Sequence, residues 1–463
     1  MSAKMRPAGV LLAACLVLVG SVPPGLEAQE TKWDLLVSNN QGHSVKRFDF
    51  ETGGFLGELV SPAKGGLNQT QEVLLGQDGN LLVAGIGPGA ILSFDPRTGD
   101  YLGRFTSGYT LQQATKTRFG PDGNLYVSQW GSSQSSVAVF DGATGAFLRE
   151  ATPNIDRPMG QAWDADGVLH VTSFGSADVR SYDAEGNEIE VVIPRGGPLL
   201  GPVNIWFQDD ELWIIDWTSG SIQRYDLDGT QIGVFASGLA NPEGWAYGPD
   251  GALYIAEWTG NRVRRLDAAT GATLGFLATQ GGLQAPNDVF FIERFPDFSL
   301  ATPNGSTTVT SDSDGSATVL VRPEGGIAFD ASVELSCNSP SPRLACSASP
   351  STVTPGADTL EVTVTFSKLA TGTITGLTLQ GPIAPGGGRW LVALLAIACL
   401  AVPQKRRLRP RWSLTSLAAL LLVAGCGGST TEPVDVEMET VQATVSARGD
   451  GLARTLTLTV DIR

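Results

Sequence analysis

Cysteine and histidine are the scarce residues of this 463-residue chain. Of its five cysteines, none lies between Glu30 and Ser336. That stretch therefore offers no disulfide, no thiolate nucleophile and no cysteine metal site. The two histidines, His43 and His170, stand far apart in sequence. They supply neither a histidine-rich zinc site nor a Ser-His-Asp triad, and each reads as an ordinary loop or strand residue. Positive charge is also short, with 31 Lys and Arg against 47 Asp and Glu and a net charge of −16. A chain without a basic surplus is a poor partner for nucleic acid, whose phosphates need a basic face. Charged residues make up only 17% while glycine reaches 57. This balance excludes a coiled coil or a disordered chain and fits a turn-rich β protein.

What is present is a period. The stretch GPDGALYIAEWTGNRVRRLDAATGATLG, from Gly248 to Gly275, returns in weaker copies. The aspartate of its first turn recurs as Asp78, Asp122, Asp166, Asp210 and Asp250, in steps of 44, 44, 44 and 40 residues. A second series of turn aspartates comprises Asp49, Asp95, Asp141, Asp183, Asp226 and Asp267. A residue repeated in every unit serves the unit, so both series read as turn formers and not as a catalytic site. Each unit predicts four short strands separated by DG, TG and GN turns, the mark of a β-propeller blade. Five full units cover about 67–282. A sixth is split, with outer strands at Leu35–Val37, Val45–Phe48 and Phe55–Leu59 and its inner strand at Pro286–Ile292. Joining the two ends closes the ring and removes free sheet edges.

Leu253-Tyr254-Ile255-Ala256-Glu257-Trp258-Thr259-Gly260-Asn261-Arg262-Val263 resembles the NHL repeat. The resemblance spans 33–295 and implies a six-bladed NHL-like propeller. Ser176-Ala177 and Ser219-Gly220 depart from it where a GN pair is usual. Propellers host enzymes and binding modules alike, so the fold leaves function open.

The flanks differ in texture. Residues 1–28 read as a signal peptide, with Lys4 and Arg6 ahead of an apolar run and Ala28 at the cleavage site. Beyond 297, alternating strands rich in Ser, Thr and Val predict a sandwich over 297–380. The pattern around Cys337 and Cys346 resembles bacterial immunoglobulin-like domains, and in an exported domain the pair is expected to form a disulfide. The sandwich lacks a hairpin, which 436–463 supplies around Gly449-Asp450-Gly451. Between them, 388–426 holds two apolar runs joined by the basic loop 405–411. This predicts a short α-helical membrane hairpin, with the basic loop inside and both ends outside, although each run is short against the ~20 residues that span a bilayer. A rival reading takes Val423-Ala424-Gly425-Cys426 as a lipobox with Cys426 as the lipidated residue. The predicted class is thus all-β: a six-bladed propeller plus an immunoglobulin-like β-sandwich with a hydrophobic hairpin inserted near the C-terminus. The expected place is the extracytoplasmic face of a bacterial membrane.

The candidate chemistry is polar side chains leading into the inner strands: Glu72, Lys116, Gln161, Asn204, Glu243, Asn287 and Asp288. Glu72, Asn204, Glu243, Asn287 and Asp288 offer oxygen ligands of the kind Ca²⁺ takes. Similar sets hold one metal in gluconolactonase-like propellers, and that resemblance implies a lactonase or lyase; the family's longer motifs are absent, and Lys116 opposes a cation. The other reading has these groups solvating the channel or capping strands. Trp130, Phe174, Trp217 and Trp258 recur at the ends of second strands and serve either a ligand face or inter-blade packing. The expected function is an exported, membrane-anchored module that binds a protein, peptide or glycan, with no catalytic constellation evident. The alternative is the Ca-type lactonase or lyase.

Overall fold

The computed structural model describes residues 31–153, 155–303, 305–310, 313–369 and 439–463. The signal segment 1–28, the hairpin 388–426 with its loop 405–411, and Cys426 lie outside the described residues. Among the described residues no helix is long and apolar enough to cross a membrane. The chain divides between Pro296 and Asp297 into two compact units.

The first unit holds six four-stranded antiparallel sheets. Each follows the order of the Pro242–Tyr247, Leu253–Glu257, Arg262–Leu266 and Thr273–Leu277 sheet, from inner strand to outer. The inner strands neighbour one another in sequence around an axis, and Pro286–Glu293 meets both Pro242–Tyr247 and Thr70–Leu75 to complete the circuit. This is a β-propeller. Second strands such as Leu253–Glu257 are buried on both faces because neighbouring sheets cover them, which explains their continuous apolar runs. Outermost strands instead expose Leu56, Leu102, Leu148, Ile189, Ile232 and Leu274.

The core is correspondingly laminar. Leu35, Val37 and Phe48 of the closing sheet pack on Ala252, Tyr254 and Val263 of the preceding one. Leu82, Ala84 and Ile91 pack on Leu125, Val127 and Phe140. Each such layer needs the next sheet to exclude water, so no sheet is stable alone.

The turn aspartates hold the units' shape. Asp78, Asp122 and Asp250 accept backbone N–H bonds from residues two positions on, at 3.0–3.1 Å. In the third full unit Asp164, and not Asp166, takes that task, accepting from Asp166 N and Val168 N. The second series acts likewise, as with Asp141 beneath Thr144 N at 2.7 Å.

Closure pairs the two ends of the unit. Trp33–Asn39 lies antiparallel to Pro286–Glu293, from Trp33↔Glu293 to Asn39↔Pro286. Buried Asp34 accepts from Arg47 and from Arg294, and Arg294 also reaches Asp49 at 2.7 Å.

The second unit is two sheets around one core. One orders Asp297–Ala301, Gly315–Glu324, Leu360–Lys368 and Leu344–Ser349 side by side. The other contains Ser306–Val309, Leu452–Ile462, Glu439–Gly449, Val333–Asn338 and Thr352–Val353. Period-two alternation puts Val319, Val321, Val362, Val364 and Phe366 of the first against Val333, Val441, Ala443, Val445 and Val460 of the second. The hairpin 439–462 lies in the middle of its sheet, antiparallel to Val333–Asn338 and parallel to Ser306–Val309. Cys337 and Cys346, one on each sheet, are joined by a disulfide.

Candidate functional site

A register fault in every inner strand builds the site. In each sheet the pairing of the first two strands slips at the start of the inner strand: between Thr70 and Val73, Ala114 and Thr117, Pro158 and Gln161, Pro202 and Asn204, Pro242 and Trp245, and opposite Ser38/Asn39. A bulge leaves extra residues unpaired and re-aims their side chains. The first bulged residue of each sheet is Gln71, Thr115, Met159, Val203, Glu243 or Asn287, and all six line one cavity at the mouth of the channel. The chain approaches several bulges through a residue at positive φ, including Gln69, Gln113, Arg157, Asn241 and Ala285.

The cavity has a volume of about 390 Å³ and draws on all six sheets, a size within the roughly 300–1,000 Å³ of small-molecule pockets. Its rim is the residue that follows each second strand: Asn40, Ile86, Trp130, Phe174, Trp217 and Trp258. Four aromatic rings stand in a row on one side. Centroids are 4.9 Å apart for Trp130–Phe174, 6.3 Å for Phe174–Trp217 and 5.7 Å for Trp217–Trp258. Met159 and Val203 continue the apolar side below them, while Asn40, Gln69, Gln71, Gln113 and Asn287 form the opposite side.

The next residue along each inner strand is Glu72, Lys116, Gly160, Asn204, Gly244 or Asp288. Here neighbouring strands come very close. A Cβ on Gly244 would stand 2.6 Å from Asp288 Cα, and one on Gly160 would stand 2.7 Å from Asn204 Cα. Side chains fit only at the other places, and they tie sheet to sheet. Glu72 accepts from Thr117 N and, at 3.2 Å, from Thr117 Oγ1. Asp288 Oδ2 accepts from Val73 N at 3.0 Å. Asn204 donates to the Glu243 carbonyl at 3.3 Å. Lys116 Nζ donates to the Asn287 carbonyl at 3.3 Å and stands 3.5 Å from Glu243 Oε2. At that separation Glu243 Oε2 has an ion-pair neighbour but no hydrogen-bond partner in the protein. Burial raises the Glu243 carboxyl above its usual range, offset in part by Lys116. Burial, with the Glu72 charge adding to it, pushes Asp288 up to about 8, against the opposing pull of Lys116.

The five oxygen-bearing candidates therefore separate into two layers. Glu243 and Asn287 reach the mouth. Glu72, Asn204 and Asp288 lie one residue deeper and are engaged with neighbouring backbone. Asn287 Nδ2 donates to Gln71 Oε1. These residues do not fit a calcium ion. The side-chain oxygens of Glu72, Asn204 and Asp288 already accept backbone N–H donors, the Glu243 and Asp288 carboxyls have raised pKa values, and the Lys116 ammonium stands among them. Among the described residues no group of three or more His, Cys, Asp or Glu is placed to hold a metal.

The histidines are elsewhere. His43 Nδ1 accepts from Gln69 N at 2.9 Å and so holds the backbone before the Gln71 bulge. His170 Nε2 lies 3.1 Å from Asp164, with its ring edge against Phe207. A second cavity, of about 620 Å³, opens where inner strands end, lined by Trp163, Trp206, Trp245, Tyr247 and Arg118 among others. It draws on only part of the ring.

Sequence reasoning pointed to Glu243, Asn287 and the aromatic row but missed Gln71, Thr115, Met159 and Val203. The signal was available: Pro158, Pro202, Pro242 and Pro286 each stand one residue ahead of a bulged one, and strand-start prolines often accompany bulges.

No family model matches the chain, and no curated protein matches it. Solved structures do. A chain of a nidogen/laminin complex is 15% identical over 57% of this chain and 100% of its own, with a TM-score of 0.46. Virginiamycin B lyase from Staphylococcus aureus is 16% identical, covering 58% of this chain and 93% of its own, at 0.41. A gluconolactonase from Xanthomonas campestris is 17% identical, covering 50% and 84%, at 0.40. At such values the likeness carries no argument about activity, and the propeller fold rests on the strand registers themselves.

Proposed function

We propose that this chain is an exported binding protein of the bacterial envelope, whose six-bladed, NHL-like propeller takes its ligand at the channel mouth. The observation that carries the reading is the mouth cavity itself: one bulged residue and one rim residue from every sheet converge on it, with an aromatic row on one part of the lining and amide side chains on another. Concave, mostly apolar sites with a few convergent polar groups are the usual form of a binding pocket. The lining contains no histidine, cysteine, serine or lysine to act as nucleophile or base, and its one carboxyl, Glu243, stands beside Lys116. The leader 1–28, the membrane hairpin 388–426 and an immunoglobulin-like second unit complete the proposal: a propeller held on the outer face of the membrane.

Immobilised full chain is challenged with envelope extract separated into protein, peptide and glycan fractions. The expected result is retention that Trp217→Ala and Trp258→Ala abolish while both variants melt within a few degrees of the parent. Equal retention by parent and variants would overturn the mouth as the binding site. One observation favours a second reading, since Glu243 is a buried carboxyl with a raised pKa lining a cavity, a common trait of catalytic acids. Turnover of a lactone panel by the full chain, lost in Glu243→Gln, would make the protein a hydrolase or lyase instead.

A further inference from the structure

We propose that the mouth binds a neutral saccharide, with the apolar face of a sugar ring on the Trp130–Phe174–Trp217–Trp258 row and its hydroxyls on the amides of Gln69, Gln71 and Gln113. This rests on the reading of the mouth as a binding site and assigns its ligand class.

The two sides of the cavity state the requirement. Four indole and phenyl rings follow one another at centroid spacings of 4.9, 6.3 and 5.7 Å, inclined 49°, 69° and 60° to their neighbours, and present apolar faces and edges to the cavity. Such rings contribute contact area at little conformational cost. The other side is amide. Gln71 Oε1 already accepts from Asn287, which leaves Gln71 Nε2 to donate. Gln69 and Gln113 are exposed, and both line the cavity. An amide both donates and accepts, as does a hydroxyl. A ligand apolar on one face and hydroxylated along its edge satisfies both sides at once, and a pyranose has that form.

Charge narrows the class further. Glu243 is the only ionisable residue in the lining. It stands 3.5 Å from the Lys116 ammonium, and no lysine or arginine lines the cavity itself to meet an anion. A cationic ligand is the nearest competitor, because aromatic faces attract cations. The Arg157 guanidinium already stands over Trp130, 5.4 Å from the ring centroid. Glu243 Oε2, 3.5 Å from Lys116 Nζ, accepts no hydrogen bond among the described residues, and a sugar hydroxyl supplies a donor without adding charge.

The test uses the purified full chain. Tryptophan emission and titration calorimetry follow addition of glucose, N-acetylglucosamine, and the β-linked di- to tetrasaccharides of each, with tetramethylammonium chloride and a lysine-rich peptide as the cationic arms. The expected result is a saturable emission change with at least one neutral sugar. Trp217→Ala should weaken it at least tenfold and Gln113→Ala several-fold. Trp163→Ala, at the other end of the channel, should leave it unchanged. No response to any sugar, or a response that survives both mouth substitutions, overturns the saccharide. Response to tetramethylammonium alone overturns it in favour of a cation. If envelope material is nevertheless retained in a Trp217-dependent way, the saccharide fails and the mouth stands.

Discussion

The two units close themselves by the same device and pack by different ones. In the propeller, Trp33–Asn39 pairs with Pro286–Glu293, so the first and last strands finish one sheet. In the second unit, Val333–Asn338 pairs with Glu439–Gly449, whose segment follows far along the chain. Both therefore recruit a segment remote in sequence to complete a sheet. The packing differs. The propeller spreads its apolar side chains over several layers between sheets and has no disulfide. The sandwich has one core and a covalent link between its sheets. A ring obtains many modest interfaces that reinforce one another, and it brings six inner strands to one axis. A sandwich has no axis, so only the propeller generates a convergent site.

The sharpest way to break the comparison is to remove each closing segment. Deleting 439–463 should abolish the melting transition of the second unit and leave that of the propeller. Deleting 31–40 should abolish the propeller's transition instead. Scanning calorimetry reads both, and a single shared transition lost in either deletion would show that the units fold as one. Next come single core residues. Phe366→Ala in the sandwich should cost about 3–5 kcal/mol, because it empties one undivided core. Phe140→Ala in the propeller should cost a similar amount locally, and chemical denaturation followed by tryptophan emission tests it.

The disulfide gives a smaller effect. Cys337→Ser with Cys346→Ser should lower the stability of the second unit by about 2–3 kcal/mol, the loop-entropy value for a link of this span. The propeller's transition should not move.

The last comparison is a pH dependence expected in the propeller. The folded-state pKa of Asp288 is raised, so the folded protein holds this proton where the unfolded chain releases it. The stability it contributes is complete below the unfolded value near 4 and is lost as pH rises through about 8. Glu243 acts in the same direction. The propeller's melting temperature should therefore fall between pH 4 and 8, and Asp288→Asn should flatten that slope. A slope unchanged by the substitution would remove Asp288 from this account.

Much of the fold was legible because it is periodic. The DG turns and the apolar second strands recur at nearly fixed spacing, and each is a local signal: aspartate accepts from its own turn, as Asp122 does from Asn124 N. The same regularity exposed one false placement. Asp166 sits at the expected step, yet Asp164 makes the turn bonds, because spacing alone does not say which of two nearby aspartates faces the turn. The site was less legible. Whether Glu72 or Gln71 reaches the mouth depends on a bulge, and a one-residue slip exchanges the faces of a strand. Alternation of apolar and polar residues does not report such a slip.

The sequence by itself determined the turns, the strands and their repetition, since these depend on interactions within a few tens of residues. It also determined the scarcity of histidine, cysteine and basic charge that limits the available chemistry. Tertiary structure alone decided which residues meet. The closeness of the inner strands leaves room for glycine at Gly160 and Gly244 and for polar side chains between them. That closeness turns Glu72, Asn204 and Asp288 into ties between sheets. It also sets the Lys116 ammonium among the carboxyls where a metal reading would put a cation. Residues forty or more positions apart become neighbours only when the sheets pack around the axis, and the complete mouth with its aromatic and amide sides exists only when the ring closes.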